Sequence, residues 1–160
     1  MDIKEVPRIP MVTALKRIVF VGTFRHSVDE KKRLAIPAKW RGTAGDTQEY
    51  YVLPLPNGHL FALPEAAMAK MLEKVDDISI GDYERRNVLR LISGDAHGSA
   101  CDGQGRIILT EELLKHAGIK GDAVLVGVLK GFEIWAPDRL AEMKSNTTGN
   151  FAESAKQLGL

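Results

Sequence analysis

The chain has 160 residues, 44% of them hydrophobic and 27% charged, with 15 Gly and 7 Pro; this is the composition of a packed domain and excludes a disordered or collagen-like chain. No apolar run approaches the ~18 residues of a membrane span, and the basic start MDIKEVPRIPMVTALKRIVF lacks an apolar stretch followed by a small-residue cleavage site, so neither insertion nor secretion is expected. A single cysteine, Cys101, excludes an internal disulfide and a thiolate zinc cluster and suits a reducing cytoplasm. The net charge of +1 conceals an asymmetry: residues 1–42 carry ten Lys/Arg against four Asp/Glu, a surplus of +6, whereas residues 43–160 carry twelve against seventeen, or −5. The basic footprint that a polyanionic partner needs therefore lies in the first quarter of the chain.

In chain order the elements repeat. HSVDEKKRLAIPAKW (26–40) aligns with GSACDGQGRIILTEELL (98–114) at an offset of 73, and HLFALPEAAMAKM (59–71) with GFEIWAPDRLAEM (131–143) at 72, one loop residue making the difference. Each copy reads as a strand (about 18–28; about 96–101), a tight turn carrying Asp-x-x-x-Arg, and a short strand (Leu34–Ile36; Ile107–Leu109). A short helix follows, opened by Pro37 and closed by Gly42 in the first copy, and capped by Thr110 and stopped by Gly118 in the second. Next comes a hairpin (Tyr50–Leu55 with Leu60–Leu63; Ala123–Val128 with Phe132–Trp135), its turns marked by Pro56-Asn57-Gly58 and Lys130-Gly131. An amphipathic helix closes each copy, with Met68, Met71, Leu72 and Val75 on one stripe and Leu140 and Met143 on the other. Between the copies Asp82 caps a connector helix that puts Val88, Leu91 and Ile92 on one face and ends at Gly94.

A unit of about 55 residues cannot bury its apolar face alone. The expected organisation is therefore an N-terminal extension (1–18), repeat one (19–78), the connector helix (79–94), repeat two (95–144) and a flexible tail (145–160), with both repeats packed as a pseudo-dimer on one core that Trp40 and Leu113 enter equivalently.

The chemistry centres on the two turns. Asp-x-x-x-Arg is weak by itself, since Asp82 to Arg86 on the connector helix also matches it; its recurrence at a strand corner in both copies is what singles out Asp29/Arg33 and Asp102/Arg106. Two readings stand side by side. In one, the aspartates organise the turns through backbone N–H groups and hold their own arginines. In the other, the turns present cations to DNA, Lys31, Lys32, Arg25, Lys39 and Arg41 neutralising phosphates while Arg33 reaches a base edge. Arg106, flanked by Gly105 in an acidic region, is expected to act chiefly on stability or assembly. No nucleophile and base converge: His97 and Cys101 stand roughly 13 Å apart on an extended strand. His26, His59, His97 and His116 are scattered, and no phosphate-cradling Gly loop occurs, so no enzyme activity, metal or cofactor is expected. The rival function is an interaction module whose basic loop docks an acidic protein.

FVGTFRHSVDEKKRLAIPAKWR, the doubled Asp-x-x-x-Arg, ERRNVLRLISGDAHGSACDGQGRIILTEELLKHAGI and DAVLVGVLKGFEIWAPDRL together resemble the MraZ family of bacterial transcriptional regulators, whose repeats are of the AbrB type, over about residues 19–144. The resemblance implies an α+β fold of two tandem β-rich, swapped-hairpin-like repeats with short helices. It also implies a ring-shaped homo-oligomer in the cytoplasm, associated with the nucleoid. Such a ring would bind repeated short double-stranded DNA sites in the promoter of the division and cell-wall gene cluster. The family's link between the Asp-x-x-x-Arg arginine and DNA carries onto Arg33 and Arg106. Three positions depart from the family pattern: Lys32 replaces a glycine, Thr110 replaces a proline, and residues 1–18 precede the usual start near Val19. At Lys32 either the turn tolerates a side chain or the loop has shifted. The extension, with Lys4, Arg8, Lys16 and Arg17, adds a basic arm for non-specific DNA affinity or precedes a start at Met11.

Overall fold

Alternating strand burial shapes the first strand, β1 (Thr23–Ser27), whose residues pass from exposed to half-buried and back in strict period two. The computed structural model describes residues 18–42 and 48–160; Lys4, Arg8, Lys16 and Arg17 of the extension lie outside the described residues. After β1 come β2 (Arg33–Ala35), a 3-10 turn (Ala38–Trp40), β3 (Glu49–Leu55), β4 (His59–Pro64), α1 (Glu65–Val75) and α2 (Tyr83–Gly94). The second half follows as β5 (His97–Ala100), β6 (Arg106–Ile108), α3 (Glu111–Ala117), β7 (Asp122–Gly127), β8 (Phe132–Trp135), α4 (Pro137–Thr148) and α5 (Phe151–Gln157).

The strands interleave. One six-stranded antiparallel sheet has the order β1-β7-β8-β4-β3-β5, and a separate ribbon pairs β2 with β6. Exchanging β1 with β5, β3 with β7 and β4 with β8 returns the same sheet reversed, so the repeats are related by a pseudo-twofold axis between β4 and β8. Each repeat's first strand pairs with the other's hairpin: β1 hydrogen-bonds β7, and β5 hydrogen-bonds β3. The ribbon neighbours both sheet edges, β2 beside β1 and β6 beside β5, and its inward residues Leu34 and Ile107 are fully buried. β1 and β5 are the end strands of the six-stranded sheet, and the ribbon is a separate two-stranded sheet.

The core confirms the pseudo-dimer. One cluster joins Phe20, Leu34, Ile36, Trp40 and Tyr50 of the first repeat to Ile107, Leu109, Leu113, Leu125 and Phe132 of the second. Trp40 stacks on Phe132 with centroids 5.0 Å apart and meets Phe24 and Phe20 edge-on. In α3 the Thr110 hydroxyl accepts from Leu113 N, and Gly118 ends the helix at φ 66°, as its sequence signals demand.

The helices depart from expectation in two places. The stripe on α2 is mostly outside: Val88 and Leu91 are 52% and 76% exposed, and only Ile92 packs inward. Leu53, Leu63 and Ala67 form the small outer cluster there, and Met68 and Met71 of α1 already share it, which leaves no surface for a second full stripe. The tail expected to be flexible at 145–160 is helical instead, holding the last turn of α4 and all of α5. Beyond Gly149, Ala152, Glu153, Ala155, Lys156 and Gln157 are good helix formers with no proline among them, although α5 buries none of its residues.

Candidate nucleic-acid interface

The Asp-x-x-x-Arg turns are built alike, bond for bond. In the first, Asp29 Oδ1 accepts from Lys31 N (2.9 Å) and Arg33 N (2.8 Å), while Oδ2 accepts from Arg33 Nε (2.7 Å). In the second, Asp102 Oδ1 accepts from Gln104 N and Arg106 N, both at 2.9 Å, and Oδ2 from Arg106 Nε at 2.9 Å. The main chain agrees, with Lys32 N donating to Asp29 O and Gly105 N to Asp102 O. Each aspartate thus accepts from two backbone N–H groups and one guanidinium of its own turn. Among the described residues neither guanidinium forms a hydrogen bond through Nη1 or Nη2.

The backbone N–H of Arg33 is the largest influence on the Asp29 carboxyl and, with its guanidinium and the N–H of Lys31, holds it below the usual carboxylate value despite the desolvation that opposes them. Asp102 is lowered in the same way, chiefly by the N–H of Arg106. A carboxylate with a depressed folded-state pKa stabilises the fold above its unfolded value of 3.8, and that contribution is lost as pH falls through the folded value. Acid titration followed by thermal melts should therefore show wild type losing stability below pH 3.8 more steeply than an Asp29→Asn/Asp102→Asn variant. Parallel acid limbs would mean that the turns hold no charge.

Lys32 settles the open question about its turn. Its φ is 62°, matching Gly105 at 76° in the other copy, so the loop has not shifted and a side chain occupies a left-handed position. That conformation strains any residue with a Cβ. Lys32→Gly should raise stability by up to about 1 kcal/mol in urea denaturation, even though glycine loosens the unfolded chain. A lowered midpoint would contradict the strain.

Pairing of β2 with β6 brings the turns together, a junction the sequence does not announce. Arg33 lies opposite Ile108 and Ala35 opposite Arg106, so both arginines stand on the ribbon face opposite Leu34 and Ile107, as diagonal neighbours. Asp29 Oδ2 comes within 4.0 Å of Arg106 Nη1, linking the two turns. Ile36 N donates to Gly105 O and Leu109 N to Lys32 O, fastening each turn to the other repeat's strand. Ser99, which sequence reasoning passed over, is buried, and its hydroxyl accepts from Ile108 N at 2.9 Å, anchoring the ribbon to β5. A lone serine in a strand carries no signal for that role.

The remaining cations divide. Lys31 and Lys32 are exposed on the first turn and form no ion pair among the described residues. Arg25 lies on the outer face of β1, 3.4 Å from Asp122, which offsets its charge. Lys39 is exposed on the 3-10 turn, and no hydrogen bond or ion pair among the described residues ties it to the arginines. Arg41, whose nearest turn in sequence is the first, instead lies across Gly105 of the second: a Cβ added there would fall 2.6 Å from Arg41 Cζ. Its charge also opposes the burial that pushes the Tyr50 hydroxyl and the Cys101 thiol up. The contrast expected between a cationic first turn and a bare second one is correspondingly smaller. Among the described residues, no three His, Cys, Asp or Glu side chains gather as metal ligands, and no helix is long and apolar enough to cross a membrane.

Fold and site define a tandem-repeat α+β protein that presents twin arginine turns on an interleaved frame. A family described as "MraZ protein, putative antitoxin-like" matches residues 92–158. The chain is 36% identical over 140 residues to the transcriptional regulator MraZ of Oenococcus oeni, covering 88% of this chain and 96% of that protein. It is 34% identical to the protein of the same name from Symbiobacterium thermophilum (87% and 99% covered), and 31% to that from Lachnoclostridium phytofermentans (89% and 99%). The chain belongs to the MraZ family.

Proposed function

We propose that the chain is a non-enzymatic, sequence-specific transcriptional regulator that grips double-stranded DNA with the β2–β6 ribbon. The observation that carries this reading is the pair of identically tied arginines on one ribbon face, with Lys31, Lys32 and Arg41 around them. A guanidinium held through Nε keeps its Nη1 and Nη2 donors for guanine O6 and N7, and fixing it beforehand lowers the entropy lost on binding. The lysines and Arg41 supply the sequence-independent attraction to phosphate. The names of the relatives agree with this role.

One subunit offers few cations, so we further infer a ring-shaped homo-oligomer whose subunits engage repeated promoter sites together, multiplying weak contacts through effective concentration. Ile80, Tyr83 and Leu91, 81%, 73% and 76% exposed around α2, favour self-association. The division and cell-wall promoter as target, and a cytoplasmic, nucleoid-associated location, follow from the family resemblance. Filter binding on genomic fragments at two salt concentrations, beside light scattering of the free protein, tests the reading. Retention of a few fragments at the higher salt by a multimer is expected. Uniform binding that vanishes at the higher salt would instead favour an acidic protein as partner of the basic loop.

A further inference from the structure

The two turns differ in one respect that the fold repairs. Position 32 carries a lysine in left-handed backbone, whereas its counterpart is Gly105 with no side chain. In the folded chain the space that a side chain would enter at Gly105 is filled by Arg41, with Cζ and Cδ 2.6 and 2.8 Å from where a Cβ would stand. Arg41 belongs to the first repeat and follows the 3-10 turn that Trp40 anchors in the core, so its backbone is fixed where the repeats meet. The residue is exposed, and its guanidinium lies against Gly105, the residue that precedes Arg106 in the second turn.

The geometry points to Arg41 as the phosphate-binding cation of the second repeat's turn, supplied across the pseudo-twofold axis in place of the side chain that Lys32 gives the first. This rests on the DNA-binding reading above and deepens it by assigning a phosphate contact to the second turn. The glycine and the arginine then form one device: Gly105 permits the approach, and Arg41 delivers the charge. A lysine at 105 and an arginine at 41 are alternatives competing for one volume.

The test is the salt dependence of binding by the full chain to a random-sequence duplex. Arg41→Ala should weaken binding several-fold and reduce the slope of log K against log salt by about one unit, as should Lys32→Ala, with unchanged melts. In the Arg41→Ala background, Gly105→Lys should restore the lost slope, because Lys32 shows that this turn accepts a lysine at such a φ. An unchanged slope for Arg41→Ala while Lys31→Ala and Lys32→Ala lower theirs would overturn the assignment and leave DNA binding standing. Failure of Gly105→Lys to restore the slope would also overturn it. Unchanged slopes for all three single variants would overturn the DNA reading and this assignment together.

Discussion

Trp40→Ala is expected to cost about 3–5 kcal/mol, enough to remove a large part of the stability of a chain this size. The ring is 1% exposed and touches both repeats: it stacks on Phe132 of the second and packs edge-on against Phe20 and Phe24 of the first. Its Nε1 also donates to Val21 O at 3.0 Å, so truncation loses that hydrogen bond as well as leaving a cavity. Because the core is shared, the loss should appear as a single earlier transition in urea, seen alike by fluorescence and circular dichroism, with Trp40→Phe losing much less. Two separated transitions, or a loss near zero, would mean that the repeats do not depend on one another.

The second large effect concerns recognition. Arg33→Ala should cost about 1–3 kcal/mol on the preferred DNA fragment and much less on random duplex, and Arg106→Ala should do the same. The equal expectation follows from the equal geometry: each Nε is held by its own aspartate, and both guanidiniums share one ribbon face. Melting should change little, because the backbone N–H bonds to Asp29 and Asp102 survive the truncation and the ion pairs are partly exposed to solvent. Losses in the double variant should fall short of the sum, since Asp29 lies within 4.0 Å of both arginines. Arg33→Lys should not restore binding, as an ammonium cannot hold Asp29 and bridge a base edge at once. Competition measurements on both DNAs decide this; a loss confined to Arg33→Ala would give the first turn alone the reading role.

Much of this was legible in local pattern. The duplication showed at a fixed offset, and with it the shared core, because a unit that cannot close its own core must borrow another's. Thr110 and Gly118 announced their helix, and the two aspartates announced their turns, since each effect acts within a few residues. What escaped was non-local. Strands of three residues leave no period to read, so the pairing of Arg33 with Ile108 and Ala35 with Arg106 was invisible, and so was the proximity of the two arginines that depends on it. Arg41 reads as a neighbour of the first turn because it is nearer in sequence; only the crossing of the repeats carries it to Gly105. The spacing of Val88, Leu91 and Ile92 identified an apolar stripe but could not tell whether this chain would cover it.

The interleaving of the strands also bears on how the chain is made. Ser27 of β1 and Asp122 of β7 are separated by 95 residues, so on the ribosome the first strand is complete long before its partner exists. At an elongation rate of about 5–20 residues per second the wait is about 5 to 20 s, during which Phe20, Phe24 and Trp40 have no Phe132 or Leu125 to meet. The first repeat therefore cannot finish folding as it emerges. Completion belongs to the last third of synthesis, and chaperone demand should concentrate in that interval.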